Sequence, residues 1–261
     1  MVAGGRSRVP SFRHALARER LIVALDVGNV NEAEAIIVEL GDTVSFYKLG
    51  WHLLLDREFH KLLGKLKEDK KEIFLDFKVF DIPATIEGAV RAACFLGAKF
   101  ITVVGQREII KAAVKARGSS SLQILVVTLL TYMNQEDLRS EYESSISLDD
   151  FIRERAKFAA REGCDGVISS AQEVRLIRDS IDRNDFAIVT PGIRPKGASM
   201  DDQKRIATPY DAIRNGSDYL VIGRPIIQAS HKKETALAIL GEMQTALDEV
   251  DEESERRLAY A

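Results

Sequence analysis

The 261-residue chain is 46% hydrophobic and 30% charged, with a formal net charge of −3. That balance supports a large apolar core, as two ordinary domains or one α/β barrel, and excludes the compositions of membrane and disordered chains. A near-neutral chain gives no electrostatic reason to expect nucleic acid or acidic lipid as a partner, so a small soluble ligand is the default.

Residues 1–20, "MVAGGRSRVPSFRHALARER", are rich in arginine but lack the apolar core of a secretory signal. From Ser11 onward, Phe12, Ala15 and Leu16 fall at helical spacing, which predicts a short leading helix as an N-terminal extension. Short β-rich runs then recur: "LIVALDV" from 21, "SFYKLG" from 45, "EIFLDFK" from 72, "FITVVG" from 100, "QILVVTLL" from 123, "GVISS" from 166, "FAIVTPGI" from 186 and "YLVIG" from 219. Amphipathic helical patterns such as "NEAEAIIVEL", "TIEGAVRAACFLG" and "SLDDFIRERAKFAAREG" separate them.

Runs rich in Val, Ile and Leu, each followed by such a helix, indicate a parallel sheet buried on both faces. Eight units predict a single-domain (β/α)₈ TIM barrel over residues 21–247. An open nucleotide-binding sheet finds no support, because neither G-x-G-x-x-G nor a Gly-Lys-Ser/Thr phosphate loop is present. Residues 248–261, "DEVDEESERRLAYA", form a charged C-terminal tail, read as the frayed end of the last helix. The apolar run "ILVVTLL" is too short to span a bilayer, and the expectation is a soluble, cytoplasmic protein. Cys94 and Cys164 stand far apart in apolar settings, offering neither a metal site nor a redox pair, and the four histidines are scattered.

One stretch breaks the pattern. "FLDFKVFDIPAT", residues 74–85, sets Asp76, Lys78 and Asp81 within an apolar strand and its end. Strand alternation sends Leu75 and Phe77 toward the helices and turns Asp76 and Lys78 inward, about 7 Å apart along the strand. "VALD" ends with Asp26 and "FYKLG" carries Lys48, so two lysines and at least two aspartates converge at the carboxyl ends of the strands, where barrel enzymes work. Taken singly, each pair reads as a structural ion pair. Buried pairs stabilise poorly, however, and their convergence points to a functional site.

The motif D-x-K-x-x-D-I in "DFKVFDIPAT" resembles the signature of the orotidine 5′-monophosphate decarboxylase family. The resemblance continues, in order and spacing, through "VALD", "YKLG", "ILVVTLLT", "SAQE" at 170–173, "VTPGIRPKG" and "VIGRPI". It implies conversion of orotidine 5′-monophosphate to UMP and carbon dioxide, the last step of pyrimidine nucleotide synthesis, with neither metal nor organic cofactor. Lys78 would then stabilise the C6 carbanion and protonate it, Asp76 would face the departing carboxylate, and Lys48 and Asp26 would contact the ribose. Asp81 and Thr85 would enter the site of a neighbouring subunit, which implies a homodimer with shared active sites. Gly223 and Arg224 would hold the phosphate, helped by Arg194 and Gln203 from the long connection "GIRPKGASMDDQKRIATP", which reads as a lid. Thr131 would contact the nucleotide, with a helix cap as its alternative reading.

Two positions depart from many bacterial relatives: Phe80 stands in place of His, and Ala84 in place of Asn. "TYMN" also differs from relatives with Ser after Met, which bears on the pyrimidine edge. Asn215-Gly216-Ser217 reads as a helix-ending turn rather than a glycosylation site. A rival reading is a magnesium-dependent sugar-phosphate barrel, a 3-keto-gulonate 6-phosphate decarboxylase or hexulose phosphate synthase, which shares D-x-K-x-x-D. In that group the second strand ends with a metal-binding Glu, where Lys48 stands here and would repel Mg²⁺. A catalytically silent nucleotide-binding scaffold is the third reading.

Overall fold

The computed structural model describes residues 16–196 and 206–259. In chain order the elements are α1 (Ala17–Arg20), β1 (Leu21–Ala24), α2 (Val30–Leu40), β2 (Phe46–Leu49), α3 (Trp51–Leu54), α4 (Phe59–Glu68), β3 (Glu72–Val79), α5 (Pro83–Phe95), β4 (Phe100–Val104) and α6 (Arg107–Arg117). There follow β5 (Gln123–Val127), α7 (Gln135–Tyr142), α8 (Leu148–Arg161), β6 (Gly166–Ile168), α9 (Val174–Arg178), β7 (Ala187–Thr190), α10 (Pro209–Arg214), β8 (Tyr219–Ile222), α11 (Arg224–Ile227) and α12 (Lys232–Ala259). Among the described residues the strands pair in parallel in the order β1 to β8, and β8 returns to β1 through Leu21↔Leu220 and Val23↔Ile222. This is the (β/α)₈ barrel that the sequence predicts.

Helix starts follow local chemistry. Asn29 accepts the Glu32 N–H to open α2, Ser147 accepts the Asp150 N–H to open α8, and Asn134 and Asp137 form a reciprocal capping box on α7. Each helix lays one apolar stripe on the barrel; in α4 it is Phe59, Leu62, Leu63 and Leu66. Burying one such side chain contributes roughly 1.5–3 kcal/mol.

Strand alternation divides the core into two layers. Leu75, Phe77, Ile101 and Val103 pack outward against the helices, whereas Phe46, Phe74, Phe100 and Tyr219 fill the barrel interior. The Phe100 ring lies 5.2 Å from Phe46 and 5.1 Å from Tyr219, so the interior is an aromatic floor rather than a channel. At the β6–β7 seam only glycine fits position 166, since a Cβ there would stand 2.2 Å from the Ala187 carbonyl oxygen.

The β3–β4 ladder is irregular where the charges begin. Leu75 pairs with Ile101, but the next matched pair is Val79 with Val103, so four steps along β3 oppose two along β4. Lys78 sits inside this bulge with φ +45°, a left-handed conformation that is rare for a non-glycine residue.

Of the leading helix only its end is described: α1 covers Ala17–Arg20, with Ala17 and Arg20 buried and Leu16 exposed, and residues 11–15 lie outside the described residues. The charged end does not fray at 248: α12 stays helical through Ala259, and Arg214 donates to Glu253 across 2.7 Å. The turn at Asn215–Ser217 ends α10 as expected, with Gly216 at φ +102°. No helix among the described residues is long and apolar enough to cross a membrane.

Candidate active site

A cavity of about 460 Å³ opens at the carboxyl ends of the strands. Ala24, Phe74, Val127, Ile168 and Val221 form its apolar base, and charged side chains rise along one wall. β1 delivers Asp26, β2 delivers Lys48, and β3 delivers Asp76 and Lys78.

These four groups form a chain of alternating sign. The Lys48 ammonium donates to Asp26 Oδ1 at 2.8 Å and stands 3.4 Å from Asp76 Oδ2. The Lys78 ammonium donates to Asp76 Oδ1 at 2.9 Å. Exposure rises toward the two ends: the side chains of Lys48 and Asp76 retain 10% and 13% of their surface, those of Lys78 and Asp26 38% and 53%. The central pair is therefore held in a poorly hydrated setting, and the terminal groups face the cavity and its mouth.

Across the cavity, Thr131 lies in the loop after β5, Gly192 and Arg194 after β7, and Gly223 and Arg224 at the start of α11. Thr131 is not a helix cap, because Asn134 performs that role. Arg194 is buried at 6% exposure and donates to the Ile193 carbonyl at 3.0 Å. Gln203 and much of the connection read as a lid lie outside the described residues. Asp81 and Thr85 are exposed, and a single chain does not bring them to the cavity.

The sequence profile described as "Orotidine 5'-phosphate decarboxylase / HUMPS family" matches residues 19–239. The chain belongs to that family. It is 47% identical to the orotidine 5′-phosphate decarboxylase of Nitrobacter winogradskyi over 234 residues, covering 89% of this chain and 95% of the relative. Identity to the protein of that name from Ruegeria pomeroyi is 44% over 229 residues, covering 87% of this chain and 95% of the relative. Among solved structures, the orotidine 5′-phosphate decarboxylase of Lactobacillus acidophilus superposes with a TM-score of 0.75 at 35% identity, covering 85% of this chain and 98% of that one.

Within this decarboxylase family barrel, the array sets its own protonation. Burial would push the Asp76 carboxyl up, but Lys48, Lys78 and the hydrogen bonds from Lys78 and Thr102 outweigh it and hold the group below the usual carboxylate range. Burial would likewise lower Lys48, yet Asp76 and Asp26 leave it above the ordinary lysine value. Both central groups are thus charged at neutral pH.

Two features of the cavity and its support escaped the motif reading. Gln228, at the end of α11, lines the cavity without any local signal in "RPIIQAS". Thr102 on β4 accepts the Lys78 backbone N–H at 2.8 Å and donates to Asp76 Oδ1 at 2.9 Å. A lone Thr amid "FITVVG" reads as ordinary strand composition; only the inward alternation with Phe100 could have flagged it.

Proposed function

We propose that this chain decarboxylates orotidine 5′-monophosphate to UMP and carbon dioxide, without a metal or organic cofactor. The observation that carries the reading is the alternating array Asp26, Lys48, Asp76 and Lys78 on one wall of the cavity. Breaking the C6–carboxylate bond leaves its electron pair in an sp² orbital that the pyrimidine ring cannot delocalise. On this cofactor-free reading, fixed charge stabilises the anion. The Lys78 ammonium supplies that charge and transfers a proton to C6, after which the amine regains a proton from solvent. Asp76 anchors Lys78 and faces the substrate carboxylate, so the repulsion is relieved when neutral carbon dioxide departs.

The remaining roles are those the family motifs suggest. Asp26 and Lys48 bind the ribose, Thr131 the nucleotide, and Arg194, Gly223 and Arg224 the phosphate, which barrels commonly hold at the loops after strands seven and eight; Gln203, outside the described residues, is assigned to the phosphate by the sequence resemblance alone. Asp81 and Thr85 serve the site of a second copy in a homodimer. In support, Phe80 and Ile82, the chain neighbours of Asp81, are 63% and 66% exposed, and Trp51 and Leu55 after β2 are 55% and 81% exposed, apolar side chains that a single chain leaves uncovered. On this reading the enzyme serves pyrimidine nucleotide synthesis, for which we propose a cytoplasmic location.

Lys48 favours this reading over the magnesium-dependent sugar-phosphate one. Its ammonium occupies the space between two carboxylates, where a divalent cation would otherwise be held. Monitoring the ultraviolet absorbance change as orotidine 5′-monophosphate becomes UMP tests the proposal: turnover unaffected by a chelator supports it. Dependence on added Mg²⁺, or UMP binding without carbon dioxide release, overturns it.

A further inference from the structure

We infer that Thr102 is a positioning residue for the reaction, its hydroxyl locking the Lys78 backbone to the Asp76 carboxylate. This rests on the decarboxylase reading above and extends it to a residue outside the charged array.

The geometry begins in the irregular ladder. Between the pairs Leu75↔Ile101 and Val79↔Val103, β3 carries two more residues than β4 can match. Lys78 lies in that stretch at φ +45°, a strained conformation for a non-glycine residue that persists only where its surroundings hold it there. The Lys78 N–H, displaced from the ladder, finds the Thr102 oxygen at 2.8 Å. The same hydroxyl spends its single proton on Asp76 Oδ1, 2.9 Å away, the oxygen that also accepts from the Lys78 ammonium at 2.9 Å.

Thr102 therefore touches both members of the pair by different means, main chain for one and side chain for the other. It can do so because it is fully buried and points into the barrel, while Ile101 and Val103 on either side point out to the helices. Asp76 Oδ1 is fixed from two directions and Oδ2 faces Lys48 at 3.4 Å, so the carboxylate plane has no freedom to follow the lysine if it shifts. A displacement near 1 Å at a reacting group is enough to cost on the order of 100-fold in rate.

The test replaces Thr102 by Val, which keeps the shape and removes the hydroxyl, and by Ser, which keeps the hydroxyl. Folded sites are counted by UMP titration and kcat is expressed per site, which separates chemistry from loss of protein. Thr102→Val should lower kcat by roughly 10- to 100-fold. KM and UMP affinity should stay near wild type, and Thr102→Ser should recover most of kcat. If Thr102→Val does not fold, Thr102→Ala carries the same expectation. The inference is overturned by wild-type kcat in Thr102→Val, by Thr102→Ser as impaired as Thr102→Val, or by neither Val nor Ala folding, which makes the residue structural. A wild-type protein inactive on orotidine 5′-monophosphate would instead overturn the functional reading itself.

Discussion

The Lys78 ammonium reaches the Asp76 carboxylate at 2.9 Å although the two residues are next-but-one neighbours on a single strand. In regular β geometry such neighbours are about 7 Å apart at their Cα atoms, and long side chains on one face have many ways to diverge. The left-handed turn at Lys78 and the Thr102 bridge remove that freedom. The ammonium is thereby held toward the Asp76 carboxylate, the arrangement that the proposed electrostatic stabilisation without reorganisation requires.

On the proposed mechanism Lys78→Ala should fold and lose turnover by about 10⁴-fold or more, since the variant lacks the charge and the proton donor that the proposal assigns to Lys78. The ultraviolet assay under single-turnover conditions measures the loss, and circular dichroism checks the fold. Wild-type-like turnover would reject the role assigned to Lys78.

Arg224→Ala should act mainly on binding. Losing the proposed charged hydrogen bond to phosphate, about 1.5–3 kcal/mol, corresponds to a roughly 10- to 150-fold rise in KM. Phosphate-free orotidine should show little difference between wild type and variant. Equal sensitivity of both substrates would place Arg224 elsewhere in the reaction.

Acid should weaken the fold partly through Asp76. Its folded-state pKa is depressed, so the unfolded chain takes up the proton first, and the associated stability is present above the ordinary aspartate value of about 3.9 and lost as pH falls through the lower folded value. Asp76→Asn lacks that component. Its unfolding free energy should vary with pH less steeply below about pH 4, by up to one proton, or about 1.4 kcal/mol per pH unit. Urea titrations between about pH 5 and 3 measure both slopes; identical slopes would contradict the depressed value. Lys48 has the opposite sign, because its raised pKa keeps its contribution intact at ordinary pH and surrenders it only in strong alkali.

Shared sites predict complementation. Mixing inactive Lys78→Ala and Asp81→Ala chains under subunit exchange should regenerate about a quarter of wild-type sites, because each mixed dimer contains one site with both residues intact. Activity that never rises above that of the separate variants would argue for self-contained protomers.

Much of this was readable before any coordinates. The alternation of "FLDFKV" separated outward Leu75 and Phe77 from inward Asp76 and Lys78, and the strand ends "VALD" and "FYKLG" brought Asp26 and Lys48 to the same mouth. Local patterns carry that information because alternation and parallel strand order are short-range rules. The bulge is different: it depends on how β3 and β4 align, a register between segments that no window of residues contains. Thr102 was hidden for the same reason, and Gln228 because its place depends on where a short helix ends. At the C-terminus, charge density suggested fraying, whereas ion pairs to α10 at Arg214 accompany another helical stretch.

The rings of Phe46, Phe74, Phe100 and Tyr219 stop up the lower half of the barrel, and Phe74 forms part of the cavity base. The chamber is consequently a cul-de-sac. Arriving and departing molecules must use the same doorway, so a lingering product is an obstacle to its successor, and the rate of vacating sets a ceiling that no improvement in the chemistry can lift.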